Sequence, residues 1–103
     1  MFKADVIKLI SYTPVQHGTF DTPTETRREV FAEVKSVART EAYAMLSQGM
    51  TPSYIFKLSL ADDYAGETEC AYNGSIYRIV RSYETRDGGV ELTVERVGVD
   101  RNV

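Results

Sequence analysis

Arg27-Arg28-Glu29-Val30-Phe31-Ala32-Glu33-Val34-Lys35-Ser36-Val37-Ala38-Arg39-Thr40-Glu41-Ala42-Tyr43-Ala44-Met45-Leu46-Ser47-Gln48-Gly49-Met50 changes its period once, and that change decides the fold. Its first half alternates as a strand does. Arg28, Val30, Ala32 and Val34 fall on one side, while Glu29, Phe31, Glu33 and Lys35 fall on a mostly charged, wet side. In the second half Thr40 is an acceptable N-cap, and Glu41 suits the positive end of a helix dipole. Ala42, Ala44, Met45 and Leu46 favour helix, Gly49 stands where a left-handed C-terminal cap belongs, and Pro52 forbids continuation. The stretch predicts a long strand running into one short helix over residues 40–48, with Leu46 on its buried face.

Upstream, residues 13–26 hold two prolines, one glycine and five threonines, which predicts a loop too long for mere connection. Before it, residues 4–12 form a first strand with apolar residues on both faces, as a strand covered on both sides would have. Downstream, Tyr54, Phe56, Leu58 and Leu60 alternate with Lys57 and Ser59, predicting a strand over 54–60. Asp62 to Gly66 make a turn, residues 67–72 return as a strand, and Asn73-Gly74 is a strong hairpin signal. Residues 75–84 pair back, Asp87-Gly88-Gly89 turns the chain again, and 90–97 close the run with Val90, Leu92 and Val94 on one face. Residues 98–103 are expected to fray. Six strands in an open sheet would leave two edges and an apolar face bare. The expected fold is therefore mainly β, a small six-stranded antiparallel barrel with one short α-helix plugging a side or end.

The totals agree with one domain. A chain of 103 residues hides roughly 65% of its unfolded surface on folding, enough for one core. Its apolar fraction of 43% and charged fraction of 26% are those of a globular protein. The single cysteine, Cys70, excludes an internal disulfide framework and fits a small buried hydrophobe in a reducing compartment. No apolar run approaches the ~20 residues that span a bilayer, so no membrane partner is expected. The net charge of -3 is wrong for gripping nucleic acid by its phosphates. A catalytic constellation is also missing. His17 is the only histidine, and no nucleophile elbow, phosphate-binding glycine loop or Cys-x-x-Cys pair occurs. Asp62, Asp63, Glu67 and Glu69 cluster without a calcium-loop spacing and read as a solvated turn. No cofactor or metal is expected.

Two stretches carry a family resemblance. One is Glu29 to Tyr43 followed by Gly49-Met50-Thr51-Pro52, where a strand ends in a small-residue helix begun by the pair Glu41 and Tyr43. The other is Ala71 to Arg81, where Tyr72, Gly74, Tyr77 and Ile79 form a tyrosine-x-glycine hairpin; Glu91-Leu92 follows near the end. In this order they resemble the head-closure proteins of tailed bacteriophages, also called head–tail joining, adaptor or stopper proteins, over about residues 27 to 97. The resemblance implies a virion protein of the neck, made in the bacterial cytoplasm. It would form a homo-oligomeric ring, twelvefold once assembled and monomeric when free, beneath a portal or upstream adaptor ring. The ring would close the channel after packaging and offer a surface to the tail or tail-terminator protein. Double-stranded DNA would pass without sequence-specific binding, helped by an acidic lumen. Within the loop, Val15, His17, Phe20 and Asp21 are the candidate gating or ring-interface residues. Phe20 is the sharpest of them, since an exposed phenylalanine gains most from a partner that buries it. The competing expectation is a small OB-like barrel binding single-stranded nucleic acid, with Phe56, Tyr77 and Tyr83 as the stacking residues.

Overall fold

The computed structural model describes residues 4–13, 24–37, 39–47, 49 and 52–101. Among them are six strands: β1 (Ala4–Thr13), β2 (Thr24–Lys35), β3 (Tyr54–Leu58), β4 (Glu69–Tyr72), β5 (Ser75–Glu84) and β6 (Val90–Val99). One α-helix, α1 (Arg39–Leu46), follows β2, and a 3-10 turn (Ala61–Asp63) follows β3. The strands close into an antiparallel barrel in the order β1-β2-β3-β6-β5-β4. The mainly β, six-stranded barrel with one short helix is therefore the fold the sequence predicts.

Two locally built pieces make the wall. β1 and β2 pair along ten residues, from Ala4 opposite Glu33 to Thr13 opposite Thr24, as one long ribbon. β4, β5 and β6 form the expected meander, and β3 pairs with β6 from Tyr54 opposite Val94 to Leu58 opposite Val90. The ribbon joins the rest through two short seams. Residues 8–10 of β1 meet 69–71 of β4, and residues 33–35 of β2 meet 55–57 of β3.

Alternation then fills the inside. Ile7, Leu9, Val30, Ala32, Phe56, Leu58, Cys70, Tyr77, Val90, Leu92 and Val94 form one buried cluster. Tyr54, Phe56, Tyr72 and Tyr77 stack or meet edge to face there, with ring centroids 5.2 to 6.4 Å apart. The sided reading of β2 holds: Val30 and Ala32 are buried, and Phe31 is 70% exposed. At the β4–β5 turn Asn73 and Gly74 both take positive φ (51° and 81°), the backbone that a two-residue hairpin matched to strand twist demands.

Besides the start of β4, which is Glu69 rather than residue 67, five expectations need correction. Thr13 and residues 24–26, expected in the loop, belong to β1 and β2. β3 stops at Leu58, since the chain bends at Ser59 and the Ala61 amide donates to the Gly88 carbonyl (2.8 Å); Leu60 is consequently exposed. β6 runs to Val99, and residues 98–100 are held rather than frayed: Val99 pairs with Ser75, and the Asp100 amide donates to the Gly74 carbonyl (2.9 Å). Ile10 of β1 is covered as expected, but Val6 is 45% exposed, so β1 is covered on both faces only in part.

The fifth correction concerns α1. It begins at Arg39, placing Thr40 within its first turn, and ends as expected on Gly49 at φ 80°, whose amide donates to the Leu46 carbonyl. Leu46, expected to be buried, is 51% exposed; its neighbour Met45 is the buried one, at 2%. Among the described residues, neither belongs to the barrel cluster. The connection between β3 and β4 packs there instead, through Ala61 and Tyr64. Leu46→Asp should consequently leave stability within about 0.5 kcal/mol. Met45→Asp should cost roughly 2 to 5 kcal/mol by losing buried volume and stranding a charge. Urea midpoints of the two variants check this, and equal midpoints would contradict the helix orientation.

Candidate functional site

The candidate residues Val15, His17, Phe20 and Asp21 lie outside the described residues. The structure describes the base on which that loop stands. Beyond the seam with β4, Ser11, Tyr12 and Thr13 pair, among the described residues, only with Thr26, Glu25 and Thr24, so residues 14–23 follow a two-stranded extension of the ribbon. Strand alternation puts Ile10, Tyr12, Glu25 and Arg27 on the outer face and Leu9 and Arg28 on the inner one.

Polar contacts fasten this base. The Tyr12 hydroxyl donates to Glu69 Oε1 (2.9 Å), and that bond, with some burial, raises the phenol's pKa. Arg27 makes a two-pronged contact with Asp100, Nη1 to Oδ2 at 2.7 Å and Nη2 to Oδ1 at 3.0 Å, while its Nε donates to Glu25. These bonds outweigh burial and hold the Arg27 guanidinium above its already high value. Arg28 Nη2 donates to Glu67 Oε2 (2.8 Å), and the Ala65 amide donates to the other Glu67 oxygen (2.8 Å). Burial pushes the Glu67 carboxyl up, but Arg28 and the backbone amides pull it further, to a net value below the usual carboxylate range. Glu67, read from sequence as part of a solvated turn, is therefore buried and paired. Asp62, Asp63 and Glu69 keep at least partial exposure. A shallow cavity of about 240 Å³ opens beside the base, between Ile10, Tyr12, Arg27, Ile76 and Val99. A larger groove of about 400 Å³ lies where β2 and β3 diverge, edged by Phe31, Glu33 and the Lys57–Asp87 ion pair (3.0 Å).

Cys70 is wholly buried, and burial pushes its thiol up to about 12, so it is no thiolate nucleophile. Among the described residues no group of three or more His, Cys, Asp or Glu could hold a metal ion. No helix among them is long and apolar enough to cross a membrane.

The residues expected to stack on bases are not brought together on a surface. Phe56 and Tyr77 are 0% and 6% exposed inside the barrel, leaving Tyr83 alone outside. Of the arginines interleaved with them, Arg78 pairs with Glu95, and Arg96 Nε donates to Ser75 Oγ (3.2 Å). Sequence reasoning missed the Arg27–Asp100 and Arg28–Glu67 contacts, which span 73 and 39 residues. The adjacent arginines at the start of β2 were visible, but nothing local signals their partners. No protein-family model matches the chain, and no curated protein matches it.

Proposed function

We propose that the chain is a structural subunit of a phage head–tail connector, forming a ring below the portal that closes the DNA channel after packaging and receives the tail. The observation that carries the reading is the β1–β2 ribbon, which extends past its seam with β4 and bears residues 14–23 at its end. Residues 14–23, offered on a two-stranded arm by a closed barrel, suit a part that acts at a distance from the body that anchors it. The order of elements supports the same reading: a long strand, a short helix capped by glycine, then a tyrosine-containing hairpin, as in the head-closure proteins that the sequence resembles. The acidic balance, -3 overall, suits a ring through which DNA slides without sticking.

In this mechanism Val15, His17, Phe20 and Asp21 gate the channel or meet the neighbouring subunit. The portal or adaptor ring lies on one side and the tail protein on the other. Replacing residues 15–22 by a short glycine-serine turn is expected to leave the barrel folded. Infected cells should then yield heads that lose DNA or fail to take tails, counted by electron microscopy and plaque titre. Normal yields of infectious particles would dispose of the reading.

A further inference from the structure

We propose that Arg27 and Arg28 form a two-sided latch that holds the distal β1–β2 ribbon against the barrel, so that releasing Asp100 and Glu67 frees this part of the ribbon as a unit. Three observations lead there.

The first is a gap in the wall. Toward β3, β2 is paired only at residues 33–35, so among the described residues 24–32 have β1 as their sole strand neighbour. Beyond the buried Leu9 and Ile10, which lie opposite Arg28 and Arg27, backbone pairing alone would let the end of the ribbon swing on the seams. The second is the opposed placement of two consecutive arginines. Alternation turns Arg27 to the outer face and Arg28 to the inner face, so they grip the barrel from both sides of one strand. Arg27 takes both oxygens of Asp100, and Arg28 takes Glu67.

The third is where the acids are fixed. The Asp100 and Glu67 side chains are 5% and 7% exposed, against 19% and 42% for the arginines. The Asp100 amide is tied to the Gly74 carbonyl (2.9 Å). The Glu67 carbonyl accepts the Tyr64 hydroxyl (2.8 Å), and the next residue's carbonyl accepts the Ile79 amide (2.8 Å). The acids are thus part of the body and the arginines part of the arm. Charge-assisted contacts with buried carboxylates, two-pronged at Asp100 and single at Glu67, give such a latch two definite states, made or broken, rather than a gradual slackening.

The latch does not rest on the connector reading, because it is tested on the purified chain alone. Native-state hydrogen exchange at low denaturant is the measurement. In the unaltered protein, the amides of residues 24–29 are expected to exchange through a local opening, ahead of those of residues 90–94. Asp100→Asn should speed residues 24–29 by roughly 10- to 100-fold, the worth of a charged hydrogen bond, with residues 90–94 unchanged. Arg27→Lys, which keeps the charge but loses the fork, should fall between. If residues 24–29 of the unaltered protein exchange only together with 90–94, there is no separable arm. That result overturns the proposal even where a variant fails to fold. Uniform acceleration along the chain in Asp100→Asn, or none at residues 24–29, overturns it equally.

Discussion

Phe56→Ala should unfold this protein or leave it barely folded. Phe56 is fully buried and touches three other rings, Tyr54, Tyr72 and Tyr77, at centroid distances of 5.2 to 6.0 Å. It stands on β3, the strand that closes the barrel between β2 and β6. Truncation removes a large apolar surface and leaves a cavity that four surrounding strands cannot collapse into without breaking register. The expected loss is about 3 to 5 kcal/mol, against a total of roughly 5 to 15 for a domain of ordinary stability. Phe31→Ala is the control, since that ring is 70% exposed and should cost no more than about 0.5 kcal/mol. Urea unfolding followed by tyrosine fluorescence measures both. A Phe56 variant within 1 kcal/mol of the parent would mean that the aromatic cluster is not what holds the barrel's interior.

Gly89→Ala is expected to be the next most damaging change. A β-carbon at Gly89 would clash with the Leu58 carbonyl oxygen and sit 3.2 Å from that of Ser59. Backbone cannot give way as a side chain can. The β5–β6 turn must therefore lift from the end of β3, straining the Thr85–Gly89 and Ala61–Gly88 backbone hydrogen bonds (2.9 and 2.8 Å). A cost of about 1 to 3 kcal/mol follows for such overpacking. Gly98 has open space around it, so Gly98→Ala should be neutral or slightly stabilising. Thermal melts of the two variants decide the matter, and equal melting temperatures would remove the steric account.

The elements that were legible in the sequence are those whose causes are local. The β2 alternation, the glycine that ends α1, and the Asn73-Gly74 turn each depend on a few neighbouring residues. Closure into a barrel followed from the number of strands and the need to hide their edges. What stayed hidden depends on distant residues. Nothing near Leu46 or Met45 tells which of two adjacent apolar side chains the helix buries, because the pattern of a helix of only eight residues does not fix which face the rest of the fold covers. Leu60 kept the strand pattern in sequence, yet the bond from Ala61 to Gly88 turns the chain before it. Asp100 looked like part of a loose tail because its partner Arg27 lies at the other end of the chain. The same holds for the candidate site. Its loop was visible as a run of proline and threonine, whereas the arginine contacts at its base were not.

Cys70 gives this molecule a reporter of its own opening. The thiol sits at 0% exposure between Leu9 and Tyr77, its neighbours across the two adjoining strands, and its proton is held up to about pH 12. A thiol reagent can reach it only in the fraction of molecules whose barrel has parted at β4, and in those molecules it meets an ordinary cysteine. The rate of labelling therefore measures how often the wall comes apart, in the unaltered chain and in every variant named above, without a cysteine having to be introduced.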